Sequence, residues 1–239
     1  MMTFAFADTS NEPDAVERAA WFACLNSSQQ ALVRATALKR QFLAGEFLAH
    51  AGEPANHWIG VTGGLVHMSV TAADGNETTL HFVREGEWGG EGSLLKREPR
   101  RYDVIATQAS RVCLLPVSTF EILLAQNVRF NHFLLGNLNE RMGVVTALLE
   151  AARLFDPEIR VARCLALLTA GNTSASVTLA QHQLASLCGL SRQRTNIALQ
   201  ALRAKGIVRT EGHSIHIGPP HTTGSGQRLS GPRDESGHA

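Results

Sequence analysis

The sequence predicts an α+β chain: an antiparallel β roll or sandwich first, then a long helix, then a winged helix-turn-helix. Three observations carry this. Short alternating apolar segments broken by glycine run from Lys39 to Pro116, and an unbroken helical periodicity runs from Arg129 to Phe155. Between Ser186 and Leu202 two helical patterns meet at a glycine-centred turn. With 239 residues, 44% of them hydrophobic and 18% charged, the chain can bury two modest cores and is not wholly disordered.

In chain order, residues 1–15 are polar and expected to be loose. Val16, Ala19, Ala20, Trp21, Leu32 and Val33 then give Ala15 to Leu38 helical spacing, a helical preamble. Strands are expected over 47–50, 58–61, 65–70, 78–83, 104–106 and 112–115, where β-branched and aromatic residues concentrate. Gly52-Glu53-Pro54, Gly63-Gly64, Asp74-Gly75 and Gly86-Glu87 separate them, with Asp74-Gly75 the best hairpin turn.

Ser118 opens a helix to Gln126, and the long helix follows Asn127. Within it Leu134, Leu138, Arg141, Val145, Leu148, Ala152 and Phe155 recur at alternating steps of four and three, the pattern of a coiled-coil seam and hence of a homodimer. A second row, Leu135, Met142 and Leu149, is expected to pack on the β domain. A single apolar face lying over the roll, with no second chain, is the simpler alternative. Arg141 on the seam must meet a carboxylate, a phosphate or water. Asp156-Pro157 breaks the helix and caps the next, Glu158 to Thr169, so a hinge is expected there. From Gly218 the composition predicts a disordered tail. The expected units are thus an N-terminal segment and helix start (1–27), the β roll (28–126), the long helix (127–155), the winged helix-turn-helix (156–217) and the tail (218–239).

In the winged helix-turn-helix unit, Leu184, Leu187, Leu190, Ile197 and Leu202 supply a small core, while Ser191 caps a helix whose first turn carries Arg192, Gln193 and Arg194 outward. Arginine forks onto guanine and glutamine onto adenine in the major groove, so Ser191, Arg192, Gln193, Arg194 and Asn196 are the candidate DNA contacts. Between Gly189 and Ile217 five basic residues, Arg192, Arg194, Arg203, Lys205 and Arg209, face the single acid Glu211, although the whole chain has a net charge of only +1. Such a local cationic face serves to neutralise phosphates. Lys205-Gly206 ends the helix, and Ile207–Thr210 and Ser214–Ile217 alternate around Glu211-Gly212-His213 as a hairpin, or wing. A helical pair that merely packs on a neighbour gives no reason for arginines at the start of a capped helix.

Other chemistries find little support. Cys24, Cys113, Cys164 and Cys188 are scattered, without a Cys-x-x-Cys pair or a matching histidine cluster, so buried thiols are expected rather than a metal site. The ten histidines are dispersed, no Asp-His-Ser spacing of a hydrolase occurs, and no enzyme is expected. No run of about eighteen apolar residues occurs and the first residues do not read as a signal peptide, so a cytoplasmic chain with no membrane partner is expected.

A β roll, a long dimer helix, a hinge and a winged helix-turn-helix in that order resemble the cyclic-AMP receptor protein and FNR family of bacterial transcription regulators. The resemblance covers nearly everything from Leu38 to Ile217. Its specific marks are Gly86-Glu87-Trp88-Gly89-Gly90-Glu91-Gly92-Ser93-Leu94-Leu95, similar to the family's ligand cassette, and Leu190-Ser191-Arg192-Gln193 at the recognition helix. It implies a cyclic-nucleotide-binding-like double-stranded β-helix. It also implies roles: Glu91 toward a ribose 2′-hydroxyl and Arg101 toward a cyclic phosphate, with Tyr102 where the family's Arg-Ser pair has serine. Arg141 would approach the ligand from the long helix. Val145-Thr146 stands where a Thr-Ser pair meets adenine, leaving one hydroxyl, on Thr146.

The effector implied is cyclic AMP, a cyclic dinucleotide such as cyclic di-GMP held by Lys96, Arg97, Arg100 and Arg101, or none, with Tyr102 and Trp88 filling the pocket. The cysteine cluster of iron-sulfur sensors is missing, since only Cys24 lies near that end, and His81 or Cys113 as a haem ligand is less in keeping than a hydrogen-bonded histidine. Where many members carry Arg-Glu and a second Arg four residues beyond, this chain has Arg192-Gln193 and Ile197. Gln193 should therefore alter the preferred base, and Ile197 either packs in the small core or touches a thymine methyl. The partners implied are a palindromic duplex operator with half-sites about one turn apart, a second copy of the chain, and RNA polymerase. The rival expectation is a ligand-binding scaffold whose C-terminal helical domain docks to protein.

Overall fold

A computed structural model describes residues 16–75, 77–169, 176–211 and 214–217. Residues 1–15, the tail from Gly218 and the Gly212-His213 turn, all subjects of expectations above, lie outside the described residues. The helical preamble is broken. A short 3-10 turn, Phe22–Cys24, ends at extended Leu25, and α1 (Ser27–Thr36) starts afresh. Asn26 forces the restart: its side chain accepts from the Gln29 N–H at 2.9 Å while the Gln29 side chain accepts from the Asn26 N–H at 3.2 Å, a reciprocal capping box.

Eight strands follow: β1 (Leu38–Phe42), β2 (Phe47–Ala49), β3 (His57–Gly63), β4 (Leu65–Thr71), β5 (Glu77–Arg84), β6 (Trp88–Gly89), β7 (Asp103–Ala106) and β8 (Ser110–Pro116). They form two antiparallel four-stranded sheets, ordered β1-β8-β3-β6 and β2-β7-β4-β5. All six strands expected from alternation are present. β1 and β6 were not anticipated, because Leu-Lys-Arg-Gln-Phe on an exposed edge shows no alternation and Trp88-Gly89 is too short for a period.

The sheets face each other through Ile59, Val61 and Val112 on one side and Val66, Met68, Val83 and Val104 on the other. The strand period turns Trp58 to the opposite face of β3. There it meets Trp21, Trp88, Phe120 and Phe130 in a buried aromatic cluster, with ring centroids 4.7–5.7 Å from the Trp58 ring. Trp88 lies so close over Gly60 that no Cβ fits between them. Helix α2 (Glu91–Lys96) sits between β6 and β7, and α3 (Val117–Gln126) leads into α4 (Val128–Leu154). Asn127 caps α4 through the Phe130 N–H at 2.9 Å, and its amide donates to the Cys24 carbonyl and the Gln29 side chain, tying the helix start to the preamble.

The two apolar rows of α4 are divided differently from expectation: Leu138, Val145 and Ala152 of the expected seam stay on the open side, where Leu135, Met142 and Leu149 of the second row join them. Leu134 is buried against the aromatic cluster, Leu148 packs on the C-terminal core and Arg141 turns into the roll. Leu135, Met142, Val145 and Leu149 stand 47–65% exposed. Leu135, Leu138, Met142, Val145, Leu149 and Ala152 advance by three and four, so the free seam keeps heptad spacing one row over. Both rows have the same period, and only the roll's position says which is covered.

After Phe155 and Asp156 leave helical conformation, α5 (Pro157–Thr169), β9 (Ser176–Thr178), α6 (Gln181–Cys188), α7 (Arg192–Ala204), β10 (Val208–Glu211) and β11 (Ser214–Ile217) build the last unit. Its sheet is β10-β11-β9. Leu65 and Phe82 of the roll share its core with Leu165, Leu184, Leu199 and Leu202. The Thr79 N–H, next to a bulge in β5, donates to Ser186 Oγ at 2.7 Å, and Arg84 reaches the carbonyls of Leu167 and Leu168 at 3.4 Å each.

Candidate functional site: a recognition helix and a roll pocket

Gly189 closes α6 with a φ of 58°, the left-handed turn that separates the two helices, and the Arg160 guanidinium crowds the place a Cβ would take. Ser191 Oγ then accepts the Arg194 N–H at 3.2 Å and starts α7. Ala198, Leu199 and Leu202 face inward, as does the fully buried Thr195, whose hydroxyl returns to the Ser191 carbonyl at 3.1 Å. Ser191, Arg192, Gln193 and Arg194 are exposed and Asn196 is half-buried, so these side chains gather on the open start of one helix. Ile197, expected as a core residue or a base contact, is 58% exposed and is not core. Thr195 takes that inward position, because the helical period turns 195, 198, 199 and 202 to the same side. Arg203 donates to Thr210 Oγ1 at 3.0 Å and ties α7 to the wing, while Lys205 is drawn into an ion pair with Glu158.

Inside the roll, Glu91 is fully buried, with one carboxylate oxygen paired to Arg141 and the other accepting the Trp58 indole N–H at 3.3 Å. Arg141 also donates to the Trp88 carbonyl at 2.7 Å, and Asn137, one turn earlier on α4, reaches the same oxygen at 3.5 Å. The cation that looked anomalous on a dimer seam is therefore the link between α4 and the cassette.

Arg101, expected at a phosphate, points away: its side chain is 65% exposed and pairs with Glu98 at 2.8 Å. The inward guanidinium belongs to Arg100. It is 5% exposed, donates to the His57 carbonyl at 2.7 Å, and keeps a buried Nη1 without a partner beside Gly90, where a Cβ would lie 2.8 Å from it. On a strandless loop no period distinguishes neighbouring arginines, so the sequence alone could not choose between them.

Tyr102 packs against the roll core, and burial, reinforced by Glu91, raises its phenol above the usual range. Thr146 is exposed on the outer side of α4 and is not brought to Glu91 within one chain. The structure thus joins Glu91, Tyr102 and Arg141, adds Arg100 and Trp58, and leaves Arg101 and Thr146 outside. Trp58 carried no signal of its role beyond being an aromatic residue on a strand.

Next to this cluster a cleft of about 150 Å³ is lined by His81, Arg84, Glu87, Asn137, Glu140, Arg141 and residues of the last unit. Burial, with the Arg141 charge behind it, holds His81 down to about 4. A wider cavity, about 670 Å³, opens between the roll and the start of α7, with His67 and Glu77 on one wall and His182, Ser191 and Arg192 on the other. Among the described residues no group of three metal-binding side chains occurs, and no helix is long and apolar enough to cross a membrane.

Two family models match the chain: a cyclic nucleotide-binding domain over residues 39–127 and a Crp-like helix-turn-helix domain over residues 159–220. The cyclic AMP receptor protein of Thermus thermophilus is 26% identical over 179 residues, covering 75% of this chain and 83% of that one. Among solved structures, FixK2 from Bradyrhizobium japonicum superposes with a TM-score of 0.69 at 18% identity, covering 76% of this chain and 92% of its own. The c-di-GMP responsive global regulator CLP of Xanthomonas campestris does so with a TM-score of 0.63 at 19% identity, covering 80% and 99%. At those identities the structures establish a shared fold.

Proposed function

Because the chain belongs to the cyclic-AMP receptor protein and FNR family of bacterial transcription regulators, we propose that it acts as a cytoplasmic homodimer on a palindromic operator, under control of a cyclic nucleotide held in the roll. The carrying observation is the exposed, Ser191-capped start of α7 with Arg192, Gln193 and Arg194 on its surface. The exposed heptad row of α4 supports pairing with a second copy, which sets two recognition helices about one DNA turn apart.

The effector reading rests on chemistry at the buried cluster. Glu91 would accept from a ribose hydroxyl once Arg141 or the Trp58 indole gives way, and the unpartnered Nη1 of Arg100 offers a charged donor to a phosphate oxygen. Arg141 ties the same carboxylate to α4, so a ligand on Glu91 would act directly on the placement of the dimer helix. To switch the protein it must bind the DNA-competent arrangement more tightly than the other. Cyclic di-GMP is the second reading; the basic cluster expected to hold it is divided, with Arg97 paired to Glu121, Arg101 to Glu98 and Arg100 turned inward, and the room that supports the reading is instead the 670 Å³ cavity beside Arg192 and His182. Activation would additionally need contact with RNA polymerase.

The test is selection of random duplex DNA by the full chain at fixed salt, without effector, with cyclic AMP and with cyclic di-GMP. A palindrome enriched with one nucleotide establishes dimer, operator and effector together. The same palindrome in every condition removes the effector from the reading, and no motif in any condition moves the C-terminal unit toward the protein-docking scaffold.

A further inference from the structure

We propose that Ile197 reads the 5-methyl group of a thymine, and so fixes a thymine in each half of the operator. The inference rests on the DNA-binding reading above and goes beyond it to one atom of one base.

Ile197 lies in the middle of α7, four residues after Gln193 and three before Gln200, all three exposed, while Thr195, Ala198, Leu199 and Leu202 fill the opposite side. The C-terminal core is complete without it. An isolated exposed apolar residue is ordinary on a protein surface. This one is distinguished by its row: its outward neighbours are glutamines, with arginines 192 and 194 one turn earlier, and it is the sole large apolar side chain exposed on the helix. A β-branched residue also lowers helix propensity slightly and here gains no packing inside the chain.

Four residues of helix advance about 6 Å, so a Gln193 seated on one base edge puts Ile197 within about two base-pair steps of it. A branched alkyl group neither donates nor accepts a hydrogen bond. Against guanine or adenine it would cover the N7 acceptor without replacing water, and against cytosine it would meet the exocyclic amine and no methyl group. Thymine alone presents an apolar group in the major groove. The side chain and the base are thus complementary by exclusion as well as by contact.

The experiment takes the palindrome selected above and replaces each thymine, one symmetric pair at a time, with deoxyuridine, which deletes the methyl and nothing else. Affinity is measured for the full-length protein and for Ile197→Ala and Ile197→Val, with helix content checked by circular dichroism; an exposed position leaves folding intact. One pair of substitutions should weaken the unaltered protein by about 4-fold per half-site, the burial of a single methyl, and leave Ile197→Ala indifferent, with Ile197→Val between them. Two results overturn the inference: no thymine whose methyl matters, or a methyl whose loss weakens Ile197→Ala as much as the unaltered protein. Failure to select any motif overturns the DNA-binding reading itself, a different outcome from a motif without a methyl effect.

Discussion

The buried pair of Glu91 and Arg141 makes a quantitative prediction about how the roll holds the long helix. Glu91 is wholly inaccessible and Arg141 is 20% exposed at its side chain, so the pair is little screened. Replacing Arg141 by Ala leaves a buried carboxylate with only the Trp58 N–H for company and removes the bond to the Trp88 carbonyl. Breaking a buried pair from one side costs about 3–5 kcal/mol, whereas replacing both partners with neutral groups of similar volume is often close to neutral. Arg141→Ala should therefore fall in that range. Glu91→Gln combined with Arg141→Met should stay within about 1 kcal/mol of the parent, about 2 kcal/mol or more better than Arg141→Ala alone. All three tryptophans, Trp21, Trp58 and Trp88, sit in the adjoining aromatic cluster, so urea unfolding followed by their emission reports on this region. Protomer concentration must be held constant, because the proposed pairing of two copies would contribute to apparent stability. If Arg141→Ala loses less than about 1 kcal/mol, or the double variant is no better than the single one, the pair is not the tie between roll and helix and the argument for effector coupling through α4 falls with it.

Four further outcomes are expected. Leu149→Glu places a charge in the exposed heptad row and should convert the dimer to monomer by light scattering, with affinity for a palindrome falling far more than affinity for a half-site. Gly60→Ala drives a methyl into the Trp88 indole, which is held among Trp21 and Trp58, and should destabilise the roll by about 1–3 kcal/mol in denaturant titration. His81 is held neutral to about pH 4 by burial and the Arg141 charge, whereas an unfolded histidine protonates near 6.5. The unfolded state thus binds more protons between those values, and stability should drop as pH falls from about 6.5 to 4; His81→Gln should flatten that part of the profile. Ser186→Ala removes the acceptor of the Thr79 N–H, so amide exchange at Thr79 should accelerate without loss of the roll's slow-exchanging core.

Legibility in the sequence followed the range of the interactions concerned. The Ser191 cap, the left-handed Gly189 and the wing strands are each set within a few residues, and all were readable from order alone. The strands with alternating apolar residues were readable for the same reason. β1 was not: Lys39, Arg40 and Gln41 are held in extended form by pairing with β8 some seventy residues away. The break in the helical preamble was written locally, in Asn26 and Gln29, but lay within an apolar spacing that fits a continuous helix equally well.

The chain's residues by themselves therefore determined the order of units, the existence of the roll, the long helix and the winged head, and the cluster of groups at the start of α7. Tertiary structure alone decided which row of α4 is covered, which of two adjacent arginines turns inward, and that Ile197 faces solvent rather than core. Periodicity fixes the angle between side chains on one element. It carries no information about which neighbouring surface will meet them, and an irregular loop such as 97–102 has no period at all, so those choices fall to packing between elements distant in the chain.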